Sequence, residues 1–352
     1  MDVGRRAFDV FRLETELVQF IRSEIRKRGP QPFAWLMEQA LYHPQHGYYS
    51  SDRAVIGRAG DYFTNVSVGR VFGQLLAQQF GEIWWRMDKP DNFTVVEQGA
   101  HHAEFAHDVL EFSQRELPDF FSAIRYELVE PFPKLQDRQT AALSDFAARV
   151  RWRTSLNELD SFVGIHFSNE LLDALPINLR GKLVGIDGER LRLIDSPDNQ
   201  VTNQSQLDWI AMVAARLRRG VVLVIDFGFP ETEFRQAIQV RTKHRLLDSP
   251  FEQIGEADIT AHVNWTEIAA AAERNGLTIA GFTDQHHFLT GIVSSFPEVA
   301  ADEKSKRELQ TLLHPEMLGR SFQVLCLAKD VDLAPPLSGF KFARNARAGL
   351  GL

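Results

Sequence analysis

The 352-residue chain carries 39 Lys plus Arg against 47 Asp plus Glu, a net charge of −8, with 44% hydrophobic and 11% aromatic residues. That supplies a core for one large domain or two ordinary ones, and the acidic balance argues against general binding to a nucleic-acid backbone. The single Cys326 excludes an intrachain disulfide and a Cys-rich zinc site, as a reducing compartment permits.

The opening MDVGRRAFDVFRLETELVQF lacks the apolar run of a signal peptide, and no segment approaches ~20 uninterrupted apolar residues. A soluble, cytoplasmic protein without membrane insertion is expected. Residues 1–90 read as a helical N-terminal cap region, with its clearest helices at 15–28 and 68–85. From Phe93 short β-branched runs alternate with helical periodicity, the pattern of a doubly wound parallel sheet. Seven strands are expected: FTVVEQ (93–98), RYELVE (125–130), RVRW (149–152), FVGIHFS (162–168), VVLVIDFG (221–228), LTIAGFT (277–283) and FQVLCLAK (322–329). Helices are expected at 103–117, 134–149, 206–219 and 266–275, the last capped by Asn264 or Thr266 and closed by Gly276. Asp187-Gly188 between two strand-like runs predicts a hairpin arm over 178–194. A helical insertion at 286–320 precedes the last strand, which is expected to run antiparallel at a sheet edge. One domain thus spans 91–330, followed by a Pro-, Gly- and Arg-containing tail, 331–352, expected to be loosely held.

Ligands of such sheets bind beyond the carboxyl ends of the strands. There the chain places Glu97-Gln98-Gly99-Ala100-His101-His102, then Glu130, then Ser168-Asn169-Glu170-Leu171-Leu172-Asp173, then Asp226. A carboxylate ending the second strand can accept both hydroxyls of a ribose, and a Gly turn lets backbone pass close to a ligand. The turn lacks the further glycines of GxGxxG and the Lys of a phosphate loop, which disfavours pyrophosphate. An adenosine-bearing cofactor suits the set. The plain alternatives are a strand-ending turn and helix caps. His101 and His102, if helical, point roughly 100° apart and cannot chelate one metal, so no metal is expected; His286-His287 reads as a polar strand end. Glu170 and Asp173 are spaced i, i+3, so a helical turn would set both on one face, either as a solvated helix start or as an acidic pocket for a cationic substrate.

The ordered pieces FAWLMEQALYHPQHGYYSSD, GRAGDYFTN, FGQLL, VVEQGA, YELVEPFPKLQDRQ, SNELLDALP, VLVIDFGFP and DITAHVNW resemble the MidA-type S-adenosylmethionine (SAM)-dependent methyltransferases from about Pro32 to Lys329. That family includes a mitochondrial complex I assembly factor that dimethylates a protein arginine. The resemblance implies a class I methyltransferase sheet of Rossmann-like type, SAM as cofactor, and a protein substrate, which points to a respiratory complex subunit. It further implies that Glu97, Gly99, Ala100 and His101 form the cofactor loop, Glu130 holds the ribose, and Asp61 and Thr64 belong to a segment folding over the cofactor. Asn169 and Glu170 match the motif beside the sulfonium; with Asp173 they would orient a guanidinium. The family loop is glycine-richer, and this chain departs from it at His101 and Ala103. A catalytically silent methyltransferase fold kept for binding or assembly is the competing expectation.

Overall fold

The computed structural model describes residues 15–51, 64–197, 202–243 and 245–352. Seven strands form the main sheet: β1 (Phe93–Gln98), β2 (Ile124–Val129), β3 (Val150–Arg153), β4 (Phe162–Asn169), β5 (Leu217–Phe229), β6 (Thr278–Asp284) and β7 (Phe322–Lys329). Their order is β6-β7-β5-β4-β1-β2-β3, and an eighth, two-residue strand, Val263–Asn264, extends the far end of β5. β7 runs antiparallel to both β5 and β6. The expectation that β7 lies at an edge is wrong: it is interior, and β6 is the edge strand. Its apolar run FQVLCLAK is buried on both faces, as an interior position requires.

Alternation along each strand feeds two cores. Val95, Ile165, Leu223, Ile225 and Val324 point to one face, and Val96, Val222, Val224, Leu325 and Leu327 to the other. Helices α3 (Val71–Arg86) and α4 (Glu104–Glu116) cover the first face with α8 (Gln285–Ser295), while α6 (Gln204–Arg216) and α7 (Trp265–Arg274) cover the second. α7 has the capping chemistry its sequence announces: Asn264 accepts from Glu267 N, and Gly276 follows with a positive φ of 80°. The reading of a helix over 134–149 is too long, since α5 (Pro133–Ala142) gives way to a 3₁₀ turn at Ser144–Phe146.

A third core joins α1 (Glu16–Arg28) and α2 (Phe33–Tyr42) to a small antiparallel sheet. The residues before Phe93 are not all helical, because Gln31–Pro32 pairs with the hairpin Lys182–Asp187 and Arg190–Asp195. Arg26 donates to both oxygens of Glu189 at 2.8 Å, so the hairpin tip also rests on α1. The residues after Asp330 are not loosely held: Leu337, Phe340 and Leu350 are buried, and Glu82 accepts from Ser338 N. His286 and His287 open α8 and do not end a strand, with Asp284 as N-cap accepting from His287 N at 2.8 Å. Among the described residues no helix is long and apolar enough to cross a membrane.

Candidate active site

Pairing β1 with β2 sets Gln98 opposite Val129, so Glu97 and Glu130 end neighbouring strands on one rim. Both are buried, at 4% exposure, and both line a cavity of about 300 Å³, at the lower end of the ~300–1,000 Å³ range of small-molecule sites. Glu97 accepts from Tyr126 Oη at 2.6 Å. Burial raises its pKa to about 8, against the lowering effect of that hydrogen bond. Glu130 accepts from Phe132 N at 3.0 Å and from Gln139 Nε2 at 3.1 Å; burial lifts it to about 7 despite these donors. The same Gln139 amide donates to His101 O at 2.9 Å, while its oxygen accepts from Trp152 Nε1 at 2.9 Å. One fully buried glutamine therefore fixes the acidic group relative to the turn after β1.

That turn explains a sequence departure. Gly99, His101 and Ala103 have φ of 84°, 46° and 65°, so alternate positions adopt the left-handed conformation that glycine enters without penalty. A Cβ costs about 1–2 kcal/mol at such a position. The His101 ring stacks on His102 with centroids 3.7 Å apart, and His102 Nε2 lies 3.1 Å from Arg138 Nη1. The imidazole therefore forms part of the wall of the cavity that Glu97 and Glu130 also line. Burial, then His102 and Arg138, push His101 down to about 3, so it is neutral. A neutral wall does not repel a cationic ligand. The argument that the paired histidines diverge fails, because residues 101–103 precede the helix; ligand atoms of His101, His102 and Glu104 all lie within 4.8 Å of one another.

After β4 the chain turns sharply, with Glu170 at φ 54°. Asp226 holds this turn: its Oδ2 accepts from Leu171 N (3.1 Å), Leu172 N (2.7 Å) and Asp173 N (3.4 Å), and its Oδ1 from Phe227 N (2.7 Å). The turn is not helical, so Glu170 and Asp173 converge through this clamp and not through i, i+3 spacing. Asn169 Nδ2 donates to Glu170 Oε1 at 2.9 Å, and Asn169 Oδ1 accepts from Asn65 Nδ2 at 2.9 Å. Gln285 in turn donates to Asn65 Oδ1 at 2.8 Å, tying α8 to the site. Burial raises Glu170 to about 8, with Asp226 and Asp258 adding repulsion.

Asn169, Glu170, Gly99, Ala100, His101 and Thr64 border the same cavity as Glu97 and Glu130. Thr64 contributes a wall, while its hydroxyl caps a short helix by accepting from Ser67 N at 3.1 Å. Asp61 lies outside the described residues. Asp173 is not in this cavity: it lines a second one, of about 500 Å³, which shares Glu170 and Tyr49 with the first.

Sequence reasoning missed Tyr49, Asn65, Tyr126, Gln139 and Asp258. The first has a readable cause. Pro44 stops α2 from continuing, and Gly47 lets the chain double back, since a Cβ there would sit 2.5 Å from His43 N. The return buries Tyr48 and brings Tyr49 Oη to Asp258 Oδ1 at 2.8 Å.

A family described as "Putative S-adenosyl-L-methionine-dependent methyltransferase" matches residues 75–182 and 187–283. The Drosophila melanogaster protein arginine methyltransferase NDUFAF7 homolog, mitochondrial, is 24% identical over 92% of this chain and 88% of its own length. The human mitochondrial protein arginine methyltransferase NDUFAF7 is 23% identical over 95% and 87%. Among solved structures, a Burkholderia thailandensis protein described as a "likely methyl transferase", bound to S-adenosyl-homocysteine, is 26% identical and covers 94% of this chain and 96% of its own, with a TM-score of 0.84. A native structure of a superfamily protein from the same organism gives a TM-score of 0.81 at 26% identity over the same shares. The curated relatives are named as mitochondrial, which overturns the cytoplasmic location expected from the sequence.

Proposed function

Since the chain belongs to the S-adenosyl-L-methionine-dependent methyltransferase family, acts on a protein and takes SAM as its cofactor, we propose that it methylates an arginine side chain of a partner protein. The observation that carries this reading is the junction of the two cavities at Glu170 and Tyr49. A cofactor in the first and a side chain in the second would meet there.

The residues of the first cavity fit the cofactor. Glu130, whose Oε1 accepts from Phe132 N and whose Oε2 accepts from Gln139, offers the remaining lone pairs of its carboxylate to the two ribose hydroxyls. Gly99 leaves room for backbone to approach the ligand, and Phe132, Leu135 and Tyr42 supply an apolar flank suited to adenine. Neutral His101 does not repel the cofactor's positive charges, and the buried acids Glu97 and Glu170, raised to about 8 by burial, ionise more readily beside a cation. When bound, SAM supplies an electrophilic methyl: the acceptor nitrogen's lone pair forms the new N–C bond, and the S–C pair stays on sulfur. The protein's work is alignment and exclusion of water. Asn169 fixes Glu170, and Glu170 with Asp173 would orient the guanidinium and receive the proton it must release. The roles assigned to Glu97, Gly99, Ala100, His101, Thr64, Asp61 and Glu130 toward the cofactor belong to this proposal. On the resemblance to a complex I assembly factor, we place the partner among respiratory complex subunits.

The silent-scaffold reading draws on His101 and Ala103, which occupy left-handed positions at the cofactor turn. Incubation with methyl-labelled SAM and a mitochondrial extract, followed by peptide mass spectrometry, separates the two. Labelled methylarginine that disappears with Glu130→Ala supports transfer. Cofactor binding without any labelled arginine supports the scaffold.

A further inference from the structure

The hydrogen bonds that fix Glu170 begin outside both cavities, in the helical insertion. Gln285 opens α8 and is fully buried; its Nε2 donates to Leu312 O, near the end of the helix Glu303–Leu313, at 3.2 Å and to Asn65 Oδ1 at 2.8 Å. Asn65 Nδ2 donates to Asn169 Oδ1 at 2.9 Å, and Asn169 Nδ2 donates to Glu170 Oε1 at 2.9 Å. A backbone carbonyl can only accept, so the Gln285 group facing Leu312 is its NH2. That NH2 needs an oxygen on Asn65, which turns the Asn65 NH2 to Asn169, and the same logic turns the Asn169 NH2 to Glu170. The amides thus share one polarity, and its donor end meets the carboxylate. We propose that Asn65, which borders neither cavity, is a positioning residue for methyl transfer: it sets the direction of the Asn169 amide and, through it, the Glu170 carboxylate at the junction of the two cavities.

Asn65 is fully buried, and its backbone N–H also reaches Glu170 Oε1, at 3.3 Å. Among the described residues both donors to Glu170 land on Oε1, so Oε2 is the oxygen left to an acceptor. The backbone that aims this N–H is held by a reciprocal capping box, in which Thr64 Oγ1 accepts from Ser67 N at 3.1 Å and Ser67 Oγ accepts from Thr64 N at 3.0 Å. The insertion grips the same segment again further on. Glu308 Oε2 accepts from Val71 N at 3.2 Å, and Gly69 passes so near that a Cβ there would sit 2.2 Å from Glu308 Cδ. The acids that face Glu170 are Asp173 on its own turn, Asp226 on β5 and Asp258 across the second cavity, and each disfavours its ionised form, as burial does. The donors from Asn169 and Asn65 oppose them. Without a directed Asn169 amide, Glu170 therefore stays protonated to a higher pH and cannot take the acceptor's proton.

This rests on the reading above, in which Glu170 receives the proton, and the test separates the two. The full chain, carrying carbon-13 at its glutamate carboxyls and saturated with S-adenosyl-homocysteine, is titrated by NMR, with the Glu170 signal identified by its loss in Glu170→Gln. Asn65→Leu and Gln285→Met add no charge. The first is expected to raise the Glu170 midpoint by about one pH unit and the second by about half a unit, each with S-adenosyl-homocysteine affinity within about twofold. From a starting value of about 8, one unit lowers the ionised fraction at pH 7.5 from ~24% to ~3%. Labelling of a mitochondrial extract from methyl-labelled SAM is then expected to fall about eightfold at pH 7.5 in Asn65→Leu, and by no more than about twofold at pH 9. A midpoint unchanged in both variants overturns the inference even if labelling falls, since a merely loosened fold lowers activity at every pH alike. Should Asn65→Leu not fold, Gln285→Met decides by the same midpoint. Labelled arginine from the unaltered chain with an unchanged midpoint in the variants overturns this inference alone; no labelled arginine from the unaltered chain overturns the acceptor reading and this inference with it.

Discussion

Cofactor affinity is expected to depend on pH through Glu130, and the dependence follows from its surroundings. Its carboxyl is buried, with a pKa near 7 in the free protein, while ribose hydroxyls require the ionised form as acceptor. Binding must therefore expel a proton from every molecule in which Glu130 is protonated. With a pKa of about 7, the ionised fraction is ~9% at pH 6 and ~91% at pH 8, so affinity is expected to rise about tenfold across that interval. The cofactor's own amino group titrates near 7.7–8.0 and adds its own slope. Glu130→Gln removes the first contribution and keeps the second, so the difference between the two proteins isolates Glu130. At pH 8 the variant is also expected to lose about 30-fold in affinity, roughly 2 kcal/mol, as charge-assisted bonds are replaced by neutral ones. Calorimetry at pH 6, 7 and 8 in buffers of differing ionisation enthalpy measures both affinity and protons released. Parallel pH profiles for the two proteins would refute the ribose assignment.

Other consequences are equally specific. His166 is fully buried, neither ring nitrogen has a hydrogen-bond partner among the described residues, and burial lowers its pKa to about 3 from 6.5. The unfolded chain therefore binds the proton more readily, and stability falls as pH drops below about 6.5 toward 3, by ~1.4 kcal/mol per unit; comparing urea unfolding of His166→Leu with the unaltered protein at pH 4 to 6 should show the slope lost. Asp226→Ala leaves four buried N–H groups of the 171–173 turn and Phe227 without their acceptor, and a loss of about 3–5 kcal/mol is expected in chemical denaturation. Gly47→Ala drives a Cβ to 2.5 Å from His43 N and 2.7 Å from Leu41 O, so a cost of ~1–3 kcal/mol is expected, with methyl transfer falling more than cofactor affinity as Tyr49 is displaced. An unchanged melting temperature would contradict the close packing at that turn.

The central sheet strands were readable because they are short apolar runs buried on both faces, a pattern that stands out against helical periodicity, whereas the edge strands β3 and β6 are only partly buried. Their order was less so: nothing in FQVLCLAK states that it inserts between β5 and β6, since its neighbours are chosen by a connection that carries α8 and the helix at Glu303–Leu313. Glu97 and Glu130 could be found from strand ends alone, and the family's glycine spacing anticipated where the turn at 99, 101 and 103 goes left-handed. Tyr49 and Asp258 could not, being 209 residues apart with no local sign that they meet. Asp226 was visible as an acid on the rim, but its work is to hold backbone N–H groups, which only the folded turn reveals. Asp173 follows the same strand as Glu170 yet faces the other cavity, because a clamped turn replaced the expected helix.

The most direct measurement is a crystal structure of the chain with S-adenosyl-homocysteine. The account predicts both ribose hydroxyls on the Glu130 carboxylate and the thioether sulfur beside Asn169 and Glu170, turned toward the cavity walled by Asp173 and Asp258. A ligand whose ribose contacts neither Glu130 nor Glu97, or whose sulfur faces away from that second cavity, would contradict it.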